Sequence, residues 1–315
     1  MDGKGKLKII CIVGPTASGK TSLGVGVAKE LGGEVVSCDS MQIYKGMDIA
    51  TAKPQPDEMQ GIAHHLIDYV DPDESYSVAR FCADANKAID GIVSKGKMPV
   101  LVGGTGLYVN SLIDNITFLD QPTDASLREK LYERADADGT EALLKELKDI
   151  DPLYAEKMHI NDRKRIVRAL ELYYTSGCTM SEQLERSKNI PSRFSPIMIG
   201  IRYSDRQKLY DRINRRVDIM IQRGLIDEAR AVFDSGVSDT SAQAIGHKEL
   251  APYFRGEQTL EECIERLKTE TRRYAKRQIS WFKRDGRIKW IDADDLTSER
   301  ILDESLKIIT KELST

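Results

Sequence analysis

The chain has 315 residues, of which 40% are hydrophobic and 31% charged, a composition ordinary for a water-soluble globular protein with one large or two moderate domains. Its longest apolar runs, Ile9 to Val13 and Pro99 to Val102, are too short to span a bilayer, and the opening MDGKGKLK lacks the apolar stretch of a secretory signal. The net charge of −3 argues weakly against a nucleic-acid partner, and five scattered cysteines without a CxxC pair argue against a zinc site or a disulfide framework and for a reducing, cytoplasmic compartment.

Taken in chain order, Lys8 to Val13 reads as a buried parallel strand that ends at Gly14-Pro15, and Ser18 to Leu31 reads as a helix closed by Gly32-Gly33. Between them, Gly14-Pro15-Thr16-Ala17-Ser18-Gly19-Lys20-Thr21 fits the phosphate-binding pattern G-x-x-x-x-G-K-[ST] in its required strand-to-helix context. Glycines let the backbone amides curl around a phosphate, and the helix start adds the positive end of its dipole. Lys20 supplies a mobile charge and the Thr21 hydroxyl a Mg²⁺ ligand. The loop leaves open whether the phosphates belong to ATP or to another diphosphate.

A second strand, Glu34 to Cys38, ends at Asp39-Ser40-Met41-Gln42. A carboxylate there faces the ligand crevice of a parallel α/β sheet. It would bind metal or acceptor in a kinase, serve as general base in transfer to an amine, or merely cap a turn. His64-His65 has no further His or Cys spaced to complete a metal site, which favours a structural role. Ser77 to Lys95 reads as a helix, and Pro99 to Val102 as a third strand running into Gly103-Gly104-Thr105-Gly106. A nucleoside triphosphatase usually ends that strand with an acidic residue for Mg²⁺. Glycines and Thr105 stand there instead, either as part of a site or as a plain turn.

From about Asp120 to Ser192 no strand is predicted. Helices are expected over Ala125–Ala135, Thr140–Ile150, Pro152–His159 and Arg163–Ser176. The last opens in the basic block Asp162 to Arg168, with Asp162 as its cap; Lys164, Arg165 and Arg168 share one broad face, and Ile166 and Leu170 point the other way. Ile197 to Tyr203 resumes the strand pattern. Ser204 to Gln207 and Thr259 to Glu262 open long helices with capping-box patterns, and Arg287 to Asp292 reads as a last strand before a C-terminal helix. Arg212 and Arg216 lie one helical turn apart and suit a diphosphate, although their acidic neighbours favour surface ion pairs on local sequence alone. A further basic block runs from Arg272 to Arg287. The fold class is α/β: a P-loop parallel-sheet core in two parts, 1–118 and 193–315, the second mostly helical, interrupted by a helical insertion domain, 119–192.

Together these segments resemble the tRNA dimethylallyltransferase (tRNA isopentenyltransferase) family. The matching stretches are GPTASGKTSL, SCDSMQIYKGMDIATAKP, HHLID, PVLVGGTGLY, His159 to Leu170, RINRRVDIMIQRGLIDEA, AIGHKEL and RRYAKRQISWFKR, in family order and over nearly the whole chain. Ala50, where glycine is expected, and His247, where tyrosine is more usual, depart from the pattern. The resemblance implies transfer from dimethylallyl diphosphate to N6 of the adenosine 3′ to the anticodon in tRNA, with Mg²⁺. It implies Asp39 as general base, with Thr21, Lys20 and Arg216, and more weakly Arg212, stabilising the leaving diphosphate. Asp39 to Gln42 and Thr105 would line the channel of a flipped-out base, and Arg128, Lys164, Arg165, Ile166, Val167, Arg168 and Gln243 to Lys248 (Gln243, Ala244, Ile245, Gly246, His247, Lys248) would contact the anticodon stem-loop. A monomer is expected. An isopentenyltransferase acting on free adenine nucleotides, a P-loop small-molecule kinase and a non-catalytic RNA-binding protein with a relic P-loop are the alternatives.

Overall fold

The structure is a computed structural model that describes residues 5–116, 124–235 and 244–314. It divides into two compact units, Met1–Ile113 with Arg193–Thr315, and Asp114–Ser192.

The first unit opens with β1 (Leu7–Val13), α1 (Lys20–Glu30), β2 (Gly33–Ser37), a four-residue α2 (Pro56–Met59), a two-residue β3 (His64–His65), α3 (Val78–Ser94), β4 (Met98–Gly103) and α4 (Gly106–Ile113). The second unit holds α5 (Ala125–Ala137), α6 (Thr140–Ile150), α7 (Pro152–Ala155), α8 (Arg163–Ser176) and α9 (Met180–Lys188). The first resumes with β5 (Phe194–Arg202), α10 (Arg206–Gln222), α11 (Leu225–Ser235), α12 (His247–Phe254), α13 (Leu260–Phe282), β6 (Lys289–Asp292) and α14 (Ser298–Leu313).

The six strands pair in parallel in the order β3-β2-β4-β1-β5-β6. Because side chains alternate along a strand, each strand feeds two cores. Ile9, Cys11 and Val13 of β1 pack with Phe81, Ala85, Ile89 and Ile92 of α3 and with Tyr108 and Leu112 of α4. Ile10 and Ile12 pack on the opposite face with Leu23 and Val27 of α1 and Ile301 and Ile309 of α14. Each such fully buried aliphatic side chain contributes about 1.5–3 kcal/mol. Pro196 lacks an N–H, yet it lies inside β5 because β6 pairs with β5 only from Ile199 onward. At the far edge, His65 bonds the buried carboxylate of Glu34 (2.7 Å). A hydrogen bond from Lys97, with further help from His65 and Lys95, holds that carboxyl down at about 2 against the opposing effect of burial. His64 bonds the Ile62 carbonyl through Nδ1 (2.9 Å), so both rings of the pair have protein partners.

Three local expectations are corrected. α10 is capped by Asp205, which accepts from Gln207 N, rather than by Ser204, whose hydroxyl bonds Asp292. Asp162 starts α8 without bonding its amides; its carboxylate accepts from His159 N (2.9 Å) instead. α7 stops at Ala155 rather than continuing to His159. The apolar pattern also omits α9, a run rich in Glu, Ser and Arg that carries little periodic signal. Its start is nonetheless marked by a capping box between Thr179 and Glu182. In the second unit, Ile166, Val167 and Leu170 of α8 join Leu131, Leu143 and Leu147 in a separate core. None of the described helices is long and apolar enough to cross a membrane.

Candidate active site

The Gly14–Thr21 loop lies at the carboxyl end of β1. Gly14 has φ +146°, and a Cβ there would lie 2.6 Å from the Ile201 carbonyl of β5, so only glycine fits. Ala17 (φ 61°) and Gly19 (φ 94°) also turn left-handed and curl the backbone into a concave anion-binding shape. No side chain caps the start of α1. Ser18 is buried, and its hydroxyl has no hydrogen-bond partner among the described residues. Among the described residues Lys20 bonds only a neutral acceptor, the Pro15 carbonyl (2.5 Å). Burial, helped by the charge of Arg216 and opposed by Asp39, lowers its pKa to about 7.

α10 brings the two expected arginines to this loop. Arg212 donates from Nε to the Ala17 carbonyl (2.9 Å) and stacks on Tyr203. Arg216, one turn on, lines a cavity of about 230 Å³. Among the described residues neither arginine has an ion-pair partner, which removes the surface-ion-pair reading. Burial pushes the Arg216 pKa down, and Asp39 opposes that shift. A site with two underneutralised cations, an orphaned hydroxyl and a left-handed amide loop is built for a multiply charged anion.

Asp39 lines the same cavity with Thr16, Ser40 and Met41. Its Oδ1 accepts from Met41 N (2.9 Å) and, more weakly, from Gln42 N (3.4 Å). The turn-capping role is thus real and occupies one oxygen, while Oδ2 keeps no protein partner among the described residues. Gln42 departs from expectation: its amide bonds the carbonyls of Thr51 and Ala52 and the Ser37 hydroxyl, shaping the loop without lining the cavity. Thr105 stands behind the wall, accepting from Ser40 N (3.1 Å). Thr21 borders a separate small cleft with Ser37 and Gln42. The described residues contain no group of three or more His, Cys, Asp or Glu side chains able to hold a metal.

Ala244, Ile245, Gly246 and Lys248 line the cavity as well. His247 does not; it is buried and directs Nε2 to Glu228 (3.2 Å). Gln243 lies outside the described residues. Gly246 has φ 114° and packs against Ala50, whose methyl would be 3.1 Å from any added Cβ.

α13 supplies side chains that sequence reasoning missed. Leu267, Thr271 and Tyr274 face the cavity at helical spacing, with Arg277 beside them, while Ile213, Val217, Met220 and Leu225 form an apolar wall. That spacing was the available signal, masked by the basic residues between. The basic block itself disperses: Arg272 bonds Asn214, Arg273 pairs with Glu270, and Arg287 pairs with Asp285.

In the second unit, Arg128 forks onto the buried Glu171 (2.9–3.1 Å), and Arg168 bonds the same carboxylate (3.0 Å). Ile166 and Val167 are core residues, so their side chains are unavailable to a partner, because an amphipathic helix turns its apolar side inward. Lys164 and Arg165 remain exposed beside Tyr132 and Asn161, with Arg165 3.7 Å from Asp162.

Comparison with known proteins bears on this arrangement. The family described as IPP transferase matches residues 42–285. A tRNA dimethylallyltransferase of Acetivibrio thermocellus is 50% identical over 95% of this chain and 96% of its own. The tRNA isopentenylpyrophosphate transferase of Bacillus halodurans superposes with a TM-score of 0.73 at 45% identity, covering 97% of both chains. A eukaryotic dimethylallyltransferase captured acting on tRNA gives 0.78 at 33% identity, covering 97% of this chain and 80% of that one.

Proposed function

The chain belongs to the IPP transferase family, and from that premise we propose that it transfers the dimethylallyl group of dimethylallyl diphosphate to N6 of the adenosine 3′ to the anticodon, position 37, in tRNA. The products are N6-dimethylallyladenosine and diphosphate. The observation that carries this reading is one cavity that brings the carboxylate of Asp39 together with Arg216 and with Thr16 of the phosphate-binding loop, whose Lys20 is close enough to feel the charges of both Asp39 and Arg216.

The adenine N6 lone pair is delocalised into the ring and is a weak nucleophile. As it attacks C1 of the donor and the C1–O bond breaks, Oδ2 of Asp39 accepts an N6 proton. Lys20, Arg216 and the loop amides stabilise the charge that collects on the departing diphosphate, an effect worth about 3–4 kcal/mol per well-placed donor. Arg212 holds the loop through Ala17. Thr21 is the residue of the loop that would hold Mg²⁺, which would supply further neutralisation of that charge. The target base must leave the anticodon stack to reach the cavity, and the 244–248 segment offers Lys248 along its wall. Lys164 and Arg165 are the exposed cations of the insertion suited to RNA phosphates. We place the protein in the cytoplasm, as a monomer.

The kinase reading loses support at the end of β4, where Gly103 and Gly104 leave no acidic side chain for a nucleotide-bound metal. Mass spectrometry of nucleosides after incubation with dimethylallyl diphosphate and undermodified tRNA tests the proposal. Prenylated adenosine in tRNA is expected; acceptor-stimulated ATP hydrolysis without prenyl transfer would overturn it.

A further inference from the structure

Gln278 is 5% exposed and both ends of its amide are used. Oε1 accepts the Thr16 N–H of the diphosphate loop (2.8 Å), and Nε2 donates to the Gly104 carbonyl at the end of β4 (3.0 Å). Those partners fix the amide's orientation, since Thr16 N can only donate and Gly104 O only accept. The side chain rests so closely on the β4 loop that a Cβ at Gly104 would fall 2.1 Å from Nε2. Trp281, almost one turn further along α13, likewise leaves no room for a Cβ at Gly106 (2.2 Å). α13 therefore rests on the loop at these two glycines.

Beyond Gly104 the chain of bonds continues to the carboxylate. Thr105 donates its N–H to the Cys38 carbonyl (3.2 Å) and accepts from Ser40 N (3.1 Å), so it grips both neighbours of Asp39. One buried side chain thus links the loop that holds the leaving group to the loop that holds the base. Its length sets their separation. It also commits the Thr16 amide, leaving the other amides of the loop to the phosphates. We propose that Gln278 is a positioning residue for prenyl transfer, clamping the diphosphate loop and the Asp39 loop so that N6 and the departing oxygen lie on opposite sides of C1. This rests on the function proposed above. Displacements near 1 Å in such an alignment cost on the order of 10²-fold in rate.

The test compares Gln278→Glu and Gln278→Met with the wild type. Glu keeps the acceptor for Thr16 N–H but sets a carboxylate against the Gly104 carbonyl; Met keeps the length and loses both bonds. Three quantities are measured: kcat, tRNA affinity, and the ratio of diphosphate released to prenyl-adenosine formed. A slackened clamp admits water to C1 in place of N6, giving dimethylallyl alcohol and diphosphate. The expected result is a kcat about 10–100-fold lower, tRNA affinity within about threefold, and a ratio rising above the wild-type value of one. A variant too unstable to assay leaves the other to decide, and a stability loss alone would lower active enzyme without moving the ratio. Soluble variants with unchanged kcat and ratio would overturn the clamp. A wild type that binds inorganic diphosphate yet forms no prenyl-adenosine would instead overturn the function, and the clamp with it.

Discussion

The insertion surrounds a buried carboxylate with two arginines, whereas the core sets Lys20 in the phosphate-binding loop and Arg216 on the cavity wall and, among the described residues, gives neither an ion-pair partner. Arg128 and Arg168 are well exposed, but their guanidinium groups are spent on Glu171, which is fully buried and joins α5 to α8. Such a cluster is chiefly a way of making a buried charge tolerable, and its Coulombic gain is largely cancelled by desolvation. In the core, among the described residues, Lys20 bonds only a carbonyl and Arg216 no anion, so the folded protein offers the charge of Arg216, and a Lys20 amine that an anion would protonate, for a ligand to satisfy. Arginine as a residue type therefore does not locate a site; the absence of an internal anion does.

The comparison breaks most decisively at the chemistry. Asp39→Asn keeps the turn at Met41 but removes the proton acceptor, and kcat should fall by about 10²–10⁴ with tRNA affinity within a few-fold. Near-normal single-turnover rates would place the base elsewhere. Arg216→Ala should lower kcat/KM for the donor by about 10²–10³ and leave tRNA affinity little changed; an unchanged donor kcat/KM would mean that its unpaired charge serves no ligand.

In the insertion, Arg128→Ala should act on stability, not donor chemistry. It strips a forked partner from a buried carboxylate, for about 1–3 kcal/mol. Thermal unfolding should report that loss while calorimetric diphosphate binding stays as in the wild type. A variant of full stability with weaker tRNA binding would restore Arg128 to the RNA surface.

The depressed pKa of Lys20 gives a pH test. Near pH 8 the free protein holds this amine mostly neutral, and a diphosphate favours its charged form. Binding therefore takes up a proton, and donor affinity should weaken as pH rises above about 7, by at most about tenfold per unit. Calorimetry in buffers of different ionisation enthalpy reads the uptake directly; zero uptake at pH 8 contradicts the assignment. The smallest effect is expected from Lys164→Ala with Arg165→Ala. Tight tRNA binding should weaken a few-fold, and its log–log salt slope should flatten by about 0.7–0.9 for each phosphate that is no longer neutralised. Arg168 is left out because changing it would also loosen Glu171.

Much of this was legible beforehand because it depends on local rules. The strand ends at Gly14, Asp39 and Gly103 and the capping box at Thr259 each depend on a few adjacent residues. What stayed hidden depends on partners distant in the chain. Glu171 lies 43 residues from Arg128, and nothing in DRKRIVRALEL says that its carboxylate is buried. Gln278 lies 262 residues from Thr16 and reads as one polar residue among basic neighbours. Gly104 reads from sequence either as part of a site or as a plain turn, yet its missing Cβ is needed for a helix that comes far later.

The sheet order also bears on how the chain is made. β1 sits between β4 and β5, and the whole of Asp114–Ser192 separates β4 from β5 in the chain. A ribosome adding about 5–20 residues per second therefore delivers β1, β2 and β4 several seconds before the strand that closes the other side of β1. During that interval an apolar strand edge stands open, the kind of surface on which nascent chains mispair. The helical insertion, contiguous and with its own core, can fold meanwhile. Synonymous changes that slow translation between 114 and 192 would prolong that exposure, so the yield of native protein depends on the pace of a segment that contributes nothing to the sheet.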